Sequence, residues 1–503
     1  MDERSEIRWD ARKGCGTLRR SGDFSVSSTH RTACAGAELP PQPGLLERFA
    51  ALRAGSHPWL LDSALPSERL GRHSFAGADP YLVLRAFGGR VELDCRRSVR
   101  PDLAPGCSTR IGDPLEIART LLPEPPDSVP SAPPFVGGAV GYLGYELAQT
   151  LEPLAFHTRD DLALPDIALL FVDRVLSFDH ERGVLCAWAL GFGENEERAR
   201  AAARDNLAVF RGALDAPCEW APQPTRAAAS ANEIAHGTDP AAYIKAVDRV
   251  LEEIVAGNVY QACLTHRMQS EYGGDAWSLY QRLRGANPAP FAAFIDLPEL
   301  AILSSSPERF LQLDAQRVAE SRPIKGTRPR GRGSEDAAFE RELAGSAKDR
   351  AENLMIVDLV RNDLGRVCET GSISVPELMA IERYASVFQM VSTVRGHLRA
   401  DCDAIDLVRA TFPPGSMTGA PKIAAMQLCD RLETVRRGVY SGAIGYFDAR
   451  GGVDLSVAIR LILLAGGRAF VHSGGGIVAD SRPAEEYAES LDKVRPLFAA
   501  LSE

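Results

Sequence analysis

Two segments of the chain carry carboxylates at a spacing that puts them on one side of a helix. In KDRAENLMIVDLVRNDLGR, Asp349 and Glu352 stand at i and i+3. In PAEEYAESLDKVRPL, Glu486 and Glu489 repeat that spacing, and Lys493 follows one turn after Glu489. Residues three and four apart are neighbours on a helix surface. Brought face to face, two such helices offer a set of oxygen donors with no nitrogen or sulfur. That set suits Mg2+, which takes one or two carboxylates together with water and substrate oxygens. The same spacing also describes two helix faces turned to solvent.

The run HSGGGIVADS precedes the second of these helices. Its consecutive glycines, Gly474, Gly475 and Gly476, let backbone N–H groups approach a carboxylate or phosphate with no Cβ in the way; a strand-end turn is the plainer alternative. In SRPIKGTRPRGRG, Lys325 lies between Ile324 and Gly326, with Arg322, Arg328 and Arg330 close by. A free lysine is neutral in roughly one molecule in 2500 at pH 7. A nucleophilic lysine therefore needs burial or neighbouring cations to release its proton; otherwise it is an exposed loop charge. FPPGSMTGAPKIAAMQL is a Pro/Gly turn opening a helix, with Ser416 and Thr418 as hydroxyl donors and Lys422 in the first turn. Such a start favours an anion, or is simply a capped helix.

The elements that must hold these residues are mixed. Helices are predicted at 194–214, 336–366, 404–411, 420–432 and 484–500, and another opens at Asp239-Pro240 and ends at Gly257. Alternating apolar segments such as FAAFIDL, LAILSSS, RFLQLD, AIGYFDA and RAFVHSGGG read as antiparallel strands. Residues 166–180 and 183–190 read as a hairpin, and FVGGAVGYLGYELAQ as a glycine-rich, closely packed strand. The order is α+β, not a regular βαβ alternation. Residues 1–43, rich in Arg, Ser, Gly and Pro, read as a flexible N-terminal extension. The main boundary is expected near 218–238, separating a 44–218 region from a 238–500 catalytic domain.

The chain has 503 residues, 57 Lys and Arg against 67 Asp and Glu, and a net charge of −10. That mildly acidic surface argues against nucleic acid as the main partner. No run of apolar residues is long enough to span a membrane, and the charged N-terminus is not a secretory signal. The ten cysteines are scattered and the nine histidines lack zinc spacing, which fits reduced thiols in a cytoplasmic protein.

Taken together and in order, these segments resemble the chorismate-utilising enzymes. SSSPERF, PIKGTRPRG, DRAENLMIVDLVRNDLGRV, GSMTGAPK, YSGAIGYF, VAIRLI, SGGGIVADS and EYAESLDKV carry the resemblance over 238–500. WLLDSALPSERLGRHSF and FVGGAVGYLGYE extend it into the N-terminal half. The resemblance implies two antiparallel β-sheets packed face to face, helices on the outside, and an active site in the C-terminal half. It implies Mg2+ on the ring carboxylate of chorismate, with Glu352 and Glu489 as direct ligands and Asp349 and Glu486 behind them, supported by Lys493. Tyr440, Arg460 and Gly474–Gly476 match residues that hold the enolpyruvyl carboxylate. Ser416 and Thr327 match further substrate contacts, and Glu308 matches the acid that helps the C4 hydroxyl leave.

Two positions discriminate within the family. Water-adding members carry a lysine base where this chain has Gln261, and a glutamine cannot deprotonate water. Anthranilate synthase carries PIAGT where this chain has PIKGT, and Lys325 matches the nucleophile of aminodeoxychorismate synthase component I. Gln389 stands where many anthranilate synthases have a histidine associated with pyruvate elimination. The implied activity is amination of chorismate for 4-aminobenzoate and folate synthesis, with anthranilate synthesis or a secondary-metabolite role as alternatives. The implied partner is a glutamine amidotransferase subunit, since no Cys-His-Glu glutaminase arrangement is visible in the chain. The LLDS stretch is similar to a tryptophan pocket, which puts a regulatory or structural tryptophan near Leu61, Asp62 and Ser63. A ligand-binding regulator on the same fold would be expected to have lost metal-site carboxylates, and all four are present.

Overall fold

The apolar run at 166–180 is broken at Asp173. Ile167–Val172 and Arg174–Asp179 are separate strands that belong to different sheets. Asp173 is buried at the crossing, where its carboxylate accepts from Arg97 (2.6 and 3.0 Å) and from Asn206 (3.1 Å). A buried carboxylate is tolerated only when so paired, and here it marks the point where the chain changes layer. The expected hairpin is therefore formed by Arg174–Asp179 and Val184–Gly193 alone.

The structure, a computed structural model, describes residues 30–65, 70–126, 132–215, 235–236, 239–384 and 387–502. Two sheets of twelve strands each, paired antiparallel throughout, form the body. They pack face to face through a core that takes Trp59, Phe75 and Ile302 from one sheet and Val140, Leu170 and Tyr446 from the other. Helices cover the outer faces. Ala276–Ala286 and Pro483–Ser502 lie on the first sheet through Trp277, Tyr280, Val494 and Leu497. Ala347–Gly365 and Ala404–Thr411 lie on the second through Ile356, Val360, Leu407 and Val408. This is the α+β, two-sheet architecture expected from the sequence.

Three expectations need correction. Residues 31–38, assigned to a flexible extension, form a strand in register with Val184–Gly193, from Arg31 opposite Gly193 to Glu38 opposite Cys186. RTACAGAE lacks the large β-branched residues that announce a strand. Its small side chains instead let Glu196–Leu214 lie close, Ala33 packing on Ala199 and Ala203. The rest of that extension, residues 1–29, lies outside the described residues. The division at 218–238 does not separate two folded units, because each sheet takes strands from both halves: Trp59–Asp62 pairs with Phe291–Leu297, and Gly138–Leu143 with Ala443–Asp448. Most of 218–238 is itself outside the described residues. Finally, the predicted 336–366 helix is two helices, Ser334–Gly345 and Ala347–Gly365, restarted by Ser346, whose hydroxyl accepts from the Asp349 amide.

Five elements position the site: strand β1 (Gln261–Glu271), strand β2 (Ile324–Pro329), helix α1 (Ala347–Gly365), strand β3 (Arg468–Ile477) and helix α2 (Pro483–Ser502). β2 is the edge of one sheet, and β3 and β1 pair near the edge of the other. A cleft lies between these edges, flanked by α1 and α2.

Candidate active site

The cleft has a volume of ≈480 Å³ and gathers residues that are far apart in sequence. α1 contributes Asp349 and Glu352; α2 contributes Glu486, Glu489 and Lys493; β2 contributes Lys325 and Thr327. Gly474, Gly475 and Gly476 form one wall, and Glu308, Ser416, Tyr440 and Arg460 complete it. Gln389 also lines it. Gln261 lies behind Gly476, fully buried, with neither end of its amide bonded to protein. A Cβ on Gly476 would come within 2.3 Å of the Gln261 Nε2 and 3.4 Å of the Lys325 Nζ, so a side chain there would push the Gln261 amide aside. Leu61, Asp62 and Ser63 are not in this cleft but in a second cavity of ≈310 Å³.

Glu308 is the most perturbed acid of the cleft. Its carboxyl is buried, accepts from the Ser416 hydroxyl and the Ile324 amide, and faces Lys325. Burial disfavours the ionised form more than these partners favour it, and its pKa is pushed up to about 7. A carboxyl that keeps its proton near neutrality is suited to protonating a leaving group. Burial also raises Glu352, with Asp349 and Glu486 adding like charge while Lys325 and Lys348 oppose it. Glu489 moves the other way, held low chiefly by Lys493 at 2.8 Å.

The carboxylates of α1 and α2 share the cleft, but no three acidic, His or Cys side chains among the described residues converge as a metal cluster. The Lys348 ammonium lies 3.5 Å from Glu486 and 4.0 Å from Glu352, and Asp349 is paired with Arg328 at 3.1 Å. The donor set still fits Mg2+ in kind. It is all oxygen, and Glu352 lies half-buried beside the carboxylates of Asp349 and Glu486.

The opposite side of the cleft carries Arg460 and Tyr440. Arg460 is half-buried and has no carboxylate within ion-pair distance among the described residues; its Nη1 donates to the Lys493 carbonyl. Its backbone sits at φ +52°, and the neighbour of Tyr440, Ser441, at φ +65°. Non-glycine residues in this region cost of order 1–3 kcal/mol each and persist where surrounding structure holds them. Ser305 does so here, its amide donating to the Arg460 carbonyl at 2.9 Å. Tyr440 stacks on His472, with centroids 5.1 Å apart and planes at 14°. Burial keeps that imidazole neutral by lowering its pKa well below the usual value.

Residues 68–499 match the family of chorismate binding enzymes. The chain belongs to that family. It is 42% identical to aminodeoxychorismate synthase of Streptomyces griseus over 99% of this chain and 69% of the relative. It is 38% identical to aminodeoxychorismate synthase component 1 of Klebsiella aerogenes over 92% of this chain and 98% of the relative. The crystal structure of anthranilate synthase component I from Streptococcus pneumoniae superposes with a TM-score of 0.74 at 29% identity, covering 86% of this chain and 93% of that one. The family match begins in the N-terminal half, as expected when both halves build both sheets.

Sequence reasoning missed Lys348, His472 and Arg437. Lys348 directly precedes Asp349, and His472 directly precedes the serine before the glycine run, so adjacency was an available signal. Arg437 had none. Its guanidinium is fully buried, paired with Glu433 at 2.7 Å, and donates to the carbonyls of Met417 (2.8 Å) and Cys263 (2.6 Å), both in the cleft wall. Lys422, considered for an anion site, instead bonds Asp363 at 2.7 Å and the carbonyls of Thr411 and Pro413.

Proposed function

We propose that this chain aminates chorismate at C4, as component I of an aminodeoxychorismate synthase. The observation that carries the reading is the lysine of PIKGT in the cleft, with Glu308 and Glu352 facing it, in a chain similar to enzymes of that name. The enolpyruvyl carboxylate takes the Arg460 guanidinium, Tyr440 and the Gly474–Gly476 backbone. The ring carboxylate lies toward α1 and α2. Mg2+ held by Glu352 and Glu489, with Asp349 and Glu486 behind them, supplies the positive charge for that carboxylate.

The Lys325 amine forms a bond to C2 while the C4–O bond breaks, and Glu308 gives its proton to the departing hydroxyl, which leaves as water. Ammonia then bonds to C4 as the bond between C2 and the Lys325 nitrogen breaks, returning the amine. Gln261, where water-adding members carry a lysine, offers no base to activate water. Ammonia is supplied by a glutamine amidotransferase subunit, consistent with the component 1 name of the Klebsiella relative. No described helix is long and apolar enough to cross a membrane, and we place the enzyme in the cytoplasm, in 4-aminobenzoate and folate supply.

The test is a product assay with purified chain, chorismate, Mg2+ and ammonium, read by mass spectrometry beside Lys325→Ala. Aminodeoxychorismate from the parent, abolished in the variant, supports the reading. Anthranilate and pyruvate, unaffected by the variant, move the chain to anthranilate synthesis. One observation favours that second reading: the cavity at Leu61–Ser63, walled by Phe75, Phe291 and Tyr446, is the size of a small-molecule site. Under the leading reading it holds tryptophan, structural or regulatory.

A further inference from the structure

A third cavity lies against the active-site cleft. Glu308 and Ser416 line both spaces, so these two side chains form the partition between them. The cavity is small, ≈10 Å³ for the centre of a water-sized molecule, which is room for about one such molecule and none for a ring. Its walls are of two kinds. Ile356, Val360, Leu364 and Val457 are apolar. Asp363 and Thr411 supply oxygen: Asp363 Oδ2 is paired with Lys422 and the Thr411 hydroxyl donates to the Leu407 carbonyl, which leaves lone pairs on both side chains. Arg309, the cation on its rim, is committed to Asp454 and Glu320.

A pocket of this size that is rich in acceptors and whose charged groups are already paired excludes anions and disfavours a bare cation, since burying an unpaired charge is expensive. It suits a small neutral molecule with several N–H donors and few acceptor demands. We propose that this cavity holds the nitrogen nucleophile, one molecule of ammonia, behind Glu308 and Ser416 until C4 of the substrate can receive it. The proposal rests on the amination reading above. The nitrogen enters as neutral ammonia with its three N–H bonds intact. Glu308, which is buried and still holds its proton near neutrality, delivers that proton to the C4 hydroxyl, which departs as water. The ammonia then adds to C4 as the Lys325 nitrogen leaves C2, and the new C4 ammonium gives up one proton, which restores the Glu308 carboxyl.

The experiment is steady-state kinetics of the full chain with ammonium as nitrogen donor, varying ammonium and chorismate separately at fixed pH. Val360→Ile adds a methylene that fills the cavity, and Thr411→Val removes one of its acceptors; neither residue lines the cleft. Expected is a rise of about tenfold in the KM for ammonium with the KM for chorismate unchanged, in at least one variant whose thermal melt matches the parent. Should one variant fail to fold, the other carries the test. An ammonium KM unmoved in the folded variants, or one that rises in step with that for chorismate, overturns the cavity assignment alone. No amine product from the parent chain overturns the functional reading and the assignment with it.

Discussion

Adjacent residues Glu308 and Arg309 face different chambers, and the two chambers treat charge in opposite ways. Around Glu308, the cleft leaves charges unsettled: Glu352 is half-buried beside like charge, Glu308 keeps its proton to about 7, and Arg460 has no carboxylate within ion-pair distance among the described residues. Around Arg309, the cavity at Leu61–Ser63 has its charges paired. Arg309 bonds Asp454 at 3.0 and 3.1 Å, and Asp62 accepts from Arg284 at 2.5 Å and from the Tyr280 hydroxyl at 3.0 Å. Unpaired buried charge is costly and is kept where a ligand or a reaction completes it. Paired charge fixes a shape. The comparison separates a chamber whose charges are left open to a partner from one whose charges are already paired.

The strongest test of that contrast is Lys325→Ala. Loss of the nucleophile is expected to lower amination by roughly 10⁴-fold, while calorimetric tryptophan binding in the other chamber stays as in the parent. Loss of both would merge the two chambers into one functional unit.

Next in size is Glu308→Gln, expected to cost about 10²–10⁴-fold in rate. At fixed free ammonia, kcat/KM for chorismate in the parent falls as pH rises through about 7, where Glu308 loses its proton; the variant lacks that limb. Stability moves in the same direction. In the fold Glu308 and the buried Glu146 both hold protons up to about 7, against the ordinary 4.5 of the unfolded chain. The native state therefore binds more protons between those values, and the stability these groups contribute is full below 4.5 and lost as pH rises through about 7. Urea unfolding at pH 5 and pH 8 reads it, and a curve independent of pH would remove the unsettled carboxyls from the contrast.

Arg437→Met addresses the support of the cleft. It leaves Glu433 buried without its guanidinium, and about 3–5 kcal/mol of unfolding free energy should be lost, read by urea denaturation. The smallest effect is the heat of tryptophan binding to the parent chain. Calorimetry showing none, with none retained in purified protein, would remove the ligand from the second chamber and leave it a structural void.

Much of this was legible from residue type and spacing. The i, i+3 carboxylates, Lys325 and the glycine run all reach one cleft, because helix and strand periodicity decide which side chains share a face; that Lys325 sits on an edge strand and not in a loop was not legible. Residues whose role is set by non-local packing were not legible. Strand 31–38 is visible only once an alanine-rich helix lies on it. Arg437 matters through carbonyls of residues far from it in sequence, Cys263 and Met417.

By itself, the sequence determined the chemistry available to this protein: oxygen donors on two helices, an amine beside a glycine, a wall without side chains. Only the tertiary structure decided which of those groups would be buried, and how deeply. Burial lifts Glu308 to about 7, and leaves Arg460 waiting for an anion and Asp62 fully paired. The reason is physical: a charge's proton affinity and appetite for partners depend on the water removed around it, and that is set by the two sheets closing together, not by any run of residues.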